Sequence, residues 1–197
     1  MNVHKLLKLF LFIALVNITF ADEWHVKKVE SNIVKFTSTT TILDFDGTTS
    51  DIDGYIYWDG KEIFRGKNEL YFEVDLNTVE TGIGKRDRDM REDVLETDKW
   101  QTTYFKGSII KAEKDESTNT YKVKVLGKMF IHGIEKEIEI PGNIKIENGI
   151  MTVITNFSIY LKDYKIKAPS LLAFIKVAEE IKLHLKFQLE KTKEKNN

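Results

Sequence analysis

The densest run of chemically capable side chains is Arg86, Asp87, Arg88, Asp89 and Arg91. One reading is a solvated helix face on which neighbouring charges pair with each other, an arrangement that contributes little. The sharper reading puts Arg86 or Arg91 at the mouth of a binding site, where a guanidinium fork meets the polar or phosphate head group of a ligand. A second acidic set, Asp44, Asp46, Asp51 and Asp53 with Gly47 and Gly54, resembles a calcium loop in composition. The glycine and closing glutamate of an EF-hand are misplaced in it, so these residues read as hairpin turns and no metal is assigned. His25, His132 and His184 share no ligand spacing; His132 precedes a glycine in a turn, and His184 falls on a polar strand face. There is no cysteine, no nucleophile-elbow serine and no Gly-rich phosphate loop. No catalytic residue and no cofactor are assigned, and the chain reads as a non-enzyme.

The elements that would position these groups announce themselves by a period of two. Tyr121, Val123, Val125, Gly127, Met129 and Ile131 alternate with Lys122, Lys124 and Lys128. After a turn at His132-Gly133, Ile134, Ile138, Ile140, Ile144 and Ile146 oppose Glu135, Glu137 and Glu139. Asn148-Gly149 is a tight-turn signal leading to Met151, Val153, Thr155, Phe157, Ile159 and Leu161 on one face. The last strand sets Ile181, Leu183, Leu185, Phe187 and Leu189 against Lys182, His184, Lys186, Gln188 and Glu190. Earlier runs start at Ile33, Ile52, Leu70 and Thr103. Eight strands joined by hairpin-length turns predict an all-β chain: an eight-stranded antiparallel barrel, wide enough for packed side chains or one small ligand. Gly84 to Lys99, with Met90, Val94 and Leu95 at helical spacing, predicts a charged surface helix. Ala168 to Glu180 predicts a short apolar helix or loop; Leu171, Leu172, Phe174 and Ile175 make it either a lid over the barrel rim or a plug that caps the core.

Residues 1–21 are set apart from this domain of residues 22–197. Lys5 and Lys8, the apolar run Leu6 to Val16 and the Thr19-Phe20-Ala21 site form a signal peptide in the expected order; the alternative is an uncleaved anchor. The apolar run is short of the ~20 residues a comfortable membrane span needs. Cleavage removes two of the 30 basic residues and none of the 31 acidic ones, leaving 28 − 31 = −3. That excludes a basic surface for nucleic acid. Export without cysteine points to a bacterial envelope, so the mature chain is expected to be periplasmic or secreted.

Specific segments then resemble one family. Glu30 to Phe36 looks like the opening strand of YceI-like proteins. Val79 to Trp100 resembles their central segment, with its Thr-Gly, its Arg-Asp, a charged helix containing Met and a Lys-aromatic step. Gly127 to Gly142 resembles their later hairpin, and Phe157 to Ile166 and the final strand also fit. The family often carries His where this chain has Asp89, and Pro where it has Gln101, so no head-group role is carried to Asp89. The resemblance implies an extended lipocalin-like barrel that binds, stores or transports a long-chain amphiphile such as a polyisoprenoid, an isoprenoid quinone or a fatty amide.

The expected lumen lining follows from the alternation: Val34 and Phe36, Ile56, Phe72 and Val74, Phe105 and Ile109, Val123, Val125 and Met129, Ile138, then Val153, Phe157 and Ile159, and Leu183, Leu185 and Phe187. The same pattern suits a solid core, which would make the chain a ligand-free interaction or stress protein. It also suits a membrane barrel. Yet a narrow lumen lined by Lys122, Lys124, Lys182, Lys186, Glu135, Glu137 and Glu139 would bury many charges, so no stable membrane insertion is expected. An enzyme acting on a lipid would need a polar constellation in the lumen, and the alternation offers none. Tyr55, Tyr57 and Tyr104 are candidates for a homodimer face.

Overall fold

The structure, a computed structural model, describes residues 21–60, 62–64, 66–172 and 175–192, with only the backbone of Ala21, Ser170–Leu172 and Ile175. The expected export segment lies outside the described residues except for Ala21, which opens the first strand. In chain order the strands are β1 (Ala21–Val26), β2 (Ile33–Thr40), β3 (Asp44–Thr49), β4 (Ile52–Asp59), β5 (Asn68–Asp75), β6 (Thr102–Asp115), β7 (Thr120–Ile131), β8 (Ile134–Glu147), β9 (Ile150–Tyr160), β10 (Ser170–Leu172) and β11 (Ile175–Lys191).

All pairings between these strands are antiparallel, and the ring closes. The order β1-β4-β5-β6-β7-β8-β9-β11 returns to β1 through Val26 opposite Leu189. The eight walls are reached by an unexpected route. The first is a broken strand: β1 pairs with the end of β11, and β2 with its middle. Buried Asn32 spans the break, donating to the Lys27 carbonyl at 2.8 Å and accepting from the Gln188 amide at 3.1 Å. The second wall is β3 followed by β4. Asp44 and Asp46, read from sequence as turn residues, belong to a strand instead, because β2 offers β3 a full pairing register from Val34–Thr49 to Thr39–Asp44.

Inward alternation follows the expected parity. Val123, Val125, Met129 and Ile131 are buried while Lys122, Lys124 and Lys128 are exposed. The outer wall carries Lys124–Glu139 and Lys128–Glu135 ion pairs at 2.7 and 3.2 Å, the reverse of a transmembrane barrel's lipid-facing band. No helix among the described residues is long and apolar enough to cross a membrane.

Two local devices shape the barrel. Gly107 and Gly127 face each other across β6 and β7, and a Cβ on Gly127 would lie 2.6 Å from the Gly107 Cα. Only glycine permits this backbone approach where two long strands bend. On β8, Pro141 has no N–H to give, and β9 pairs with β8 only from Gly142 onward. The Thr155 hydroxyl donates to the Pro141 carbonyl at 2.7 Å where the ladder stops.

Helix α1 (Gly84–Asp89) runs on as one π-turn, Met90–Val94, marked by the Leu95 amide donating to the Met90 carbonyl at 2.9 Å. Its start is held by Asp87, whose buried carboxylate accepts from both the amide and the hydroxyl of Thr81. Those bonds hold the Asp87 carboxyl below its ordinary value. The segment before the last strand differs from expectation. Ser170 and Leu172 pair with Lys176 and Ile175, so the chain forms a strand hairpin there, neither helix nor loop. Pairing with the start of β11 overrides the local apolar pattern.

Candidate functional site

The barrel interior divides into two halves. In one, Trp24 and Trp58 stack at 6.4 Å, Trp58 meets Phe64 edge-on at 5.1 Å, and Phe64 meets Tyr121 at 5.4 Å. Met151 and Leu189 are wholly buried there. None of these side chains lines the cavity of the other half. In the other half the same strands enclose a cavity of about 770 Å³, within the size range of small-ligand sites. Phe72 forms its floor, its ring 4.8 Å from that of Phe187, which belongs to the packed half.

The expected lining residues divide accordingly. Val34, Phe36, Phe72, Val74, Phe105, Met129, Phe157, Ile159, Leu183 and Leu185 line the cavity. Ile56, Ile109, Val123, Val125, Val153 and Phe187 are buried in the core, and Ile138 is half-buried against it; none of these seven reaches the cavity wall. Alternation assigns a face, and both halves share that face. Which half is empty depends on where the tryptophans fall along the barrel axis.

The cover comes from elements outside the ladder. Met90 and Val94 of the helix and Leu95 just after it line the cavity, joined by Leu161 and Ile166. The expected surface helix therefore closes one end of the lumen. Ser38, Ile131 and Ile181 also line it; the parity of their strands was a sufficient signal. Phe45 had none, because its strand was read as a turn. Of the expected lid, Phe174 lies outside the described residues, and Leu171, Leu172 and Ile175 are described by backbone alone.

The two arginines part company. Arg86 lines the cavity, with its guanidinium 4.6 Å above the Phe45 ring and its Nε and Nη2 donating to the hydroxyl and carbonyl of Thr81, both at 2.8 Å. Arg91 turns away, toward the Asn77 and Val79 carbonyls at 3.4 Å. His132, expected to be a bland turn residue, joins three elements: Nε2 lies 2.9 Å from Glu96 beyond the helix, and Nδ1 lies 3.3 Å from the Tyr164 carbonyl. Among the described residues no group of three His, Cys, Asp or Glu side chains could hold a metal ion.

On the outer wall Tyr55, Tyr71, Tyr104 and Phe130 follow one another ring to ring at 6.2, 5.8 and 4.8 Å, the middle pair tilted and the outer two stacked. The Tyr55 hydroxyl donates to Glu69, which with burial pushes its pKa to about 12. Tyr57 is outside this ladder.

The strands thus make a closed eight-walled barrel with an apolar cavity under a charged helix. The YceI-like domain profile matches residues 24–189. The chain belongs to the YceI-like family. No curated protein matches. Among solved structures, a polyisoprenoid binding domain from Saccharophagus degradans superposes with a TM-score of 0.68 at 18% identity, covering 85% of this chain and 98% of that one. BcnA of Burkholderia cenocepacia gives 0.65 at 12% identity, covering 83% and 98%. The Campylobacter jejuni YCEI protein gives 0.56 at 20%, covering 75% and 85%. At these identities the likeness establishes the shared fold.

Proposed function

We propose that this YceI-like protein carries a long-chain amphiphilic lipid in its open half-lumen and does no chemistry on it, working in a bacterial periplasm or outside the cell. The observation that carries the reading is the 770 Å³ apolar cavity over a packed floor. The S. degradans relative, described as a polyisoprenoid binding domain, supports an isoprenoid as the cargo; quinones and fatty amides fit the same wall chemistry. Each buried methylene contributes roughly 0.8 kcal/mol, so even a short chain offsets the ordering cost of binding. Among the described residues the cavity wall offers no nucleophile beside a base, which supports carriage over catalysis.

Native mass spectrometry of the mature protein, purified from its own cells without detergent, tests this. One released long-chain lipid is the expected result. A bare polypeptide that also takes up no added isoprenoid would overturn the reading and favour a ligand-free interaction protein.

A further inference from the structure

Within the apolar wall one polar side chain is out of place. Ser38 lines the cavity and is 1% exposed, and its hydroxyl has no hydrogen-bond partner among the described residues. It follows Val34 and Phe36 on the inward face of β2, between Ile181 of β11 and Phe45 of β3 in register. Phe45 is the residue whose ring lies under Arg86. Ser38 is therefore the in-register neighbour of the residue beneath Arg86. A buried hydroxyl without a protein partner keeps its full desolvation cost until something bonds it. Rotation about a single χ1 is all that separates its three positions.

The charges at the mouth bear on what could satisfy it. The charged side chains among the described lining residues are Lys85, Arg86, Asp89 and Asp93, two of each sign. Lys85 is paired with Asp89 along the helix. Arg86 is committed to Thr81 and Phe45. A phosphate or diphosphate entering here would meet two carboxylates and no free excess of positive charge. Anion sites are built the other way, with uncompensated donors converging on the oxygens.

We propose that the lipid this cavity takes has an uncharged polar end, an alcohol, carbonyl or amide oxygen, and that Ser38 is the residue that bonds it. This rests on the lipid-carrier reading and narrows its ligand class: a neutral isoprenoid or fatty amide is accepted and the prenyl phosphate is refused.

The experiment compares three probes of one chain length on the mature protein by native mass spectrometry and competition: farnesol, farnesyl diphosphate and the hydrocarbon farnesene. Farnesol is expected to bind at least tenfold more tightly than the diphosphate. Ser38→Ala should weaken farnesol by roughly three- to tenfold and leave farnesene unchanged. The ligand-free variant should unfold at the same urea concentration as the parent or a higher one, because an unbonded hydroxyl has been removed from the interior. A purely structural serine would instead lower that midpoint and affect all probes alike. Diphosphate binding as tight as farnesol, or farnesol affinity indifferent to Ser38→Ala, overturns the inference while leaving the carrier reading intact. Failure of all three probes to bind overturns both.

Discussion

Leucines 183 and 189 occupy the same face of β11, six residues apart, and should answer the same substitution very differently. Leu189 is wholly buried in the packed half. Its truncation to alanine removes transfer energy and leaves a new void, a combination that costs about 2–5 kcal/mol, with the upper part expected for a site this enclosed. Leu183 is half-buried and lines space that is already open. Three carbons at ~0.8 kcal/mol each, about half of them out of contact, give ~1 kcal/mol, and no new void is made. The two variants should thus differ by ~2 kcal/mol or more. In urea, with m of about 1–3 kcal/mol/M, that separates their midpoints by roughly 1 M. The measurement is equilibrium unfolding of delipidated protein followed by the fluorescence of Trp24, Trp58 and Trp100. Leu183→Ala should also change the affinity for an added lipid, which Leu189→Ala should leave alone once stability is restored by lower temperature. Equal losses of stability, within about 0.5 kcal/mol, would mean that side chains fill both halves of the barrel, and the cavity argument would fail.

Phe187→Ala should breach the floor: it costs about 3–5 kcal/mol and shifts the preferred lipid toward longer chains, read by mass spectrometry of captured lipids; an unchanged length distribution would show that Phe72 alone sets the depth. Asp87→Ala should cost about 1–3 kcal/mol by stranding Thr81. Because the Asp87 carboxyl is held below its ordinary 3.8, its contribution is present above about pH 4 and lost as pH falls through the lowered value; the parent minus variant stability difference should shrink only in that acid range, and a difference that shrinks between pH 5 and 7 would contradict the assignment. Gly127→Ala should destabilise by more than the ~1–3 kcal/mol typical of overpacking, since the Cβ meets two backbone atoms of β6, the Lys106 carbonyl oxygen and the Gly107 Cα; a midpoint within error of the parent would show that β6 and β7 can separate there. Tyr164→Phe should hold or raise stability, as that hydroxyl is buried without a partner among the described residues; a clear loss would reveal a bonded water.

Much of the barrel was legible because alternation is a local property. Strands β7, β8, β9 and β11 carry apolar residues at most of their alternate positions, and their facing follows without knowledge of any neighbour. The turns at His132-Gly133 and Asn148-Gly149 were equally local, since both need positive φ at adjacent residues, and the structure has it at all four. The strand nature of Asp44–Thr49 was not legible: its run of Asp, Gly and Thr has turn chemistry, and only the register offered by β2 makes it a strand. The hairpin at Ser170–Leu172 likewise depends on the edge of β11.

The sequence by itself determined the fold class, the inward face of each long strand, the outward charge and the family. Only the tertiary structure decided where along the barrel axis the interior is filled and where it is open. Trp24, Trp58 and Phe64 come from three separate segments and converge on one end. The helix, Phe45 and Ser38 converge on the other. Period-two patterning carries no information about height along the barrel, because every inward position obeys the same rule; height is set by strand stagger and by pairing between distant segments, which exist only once the ring has closed.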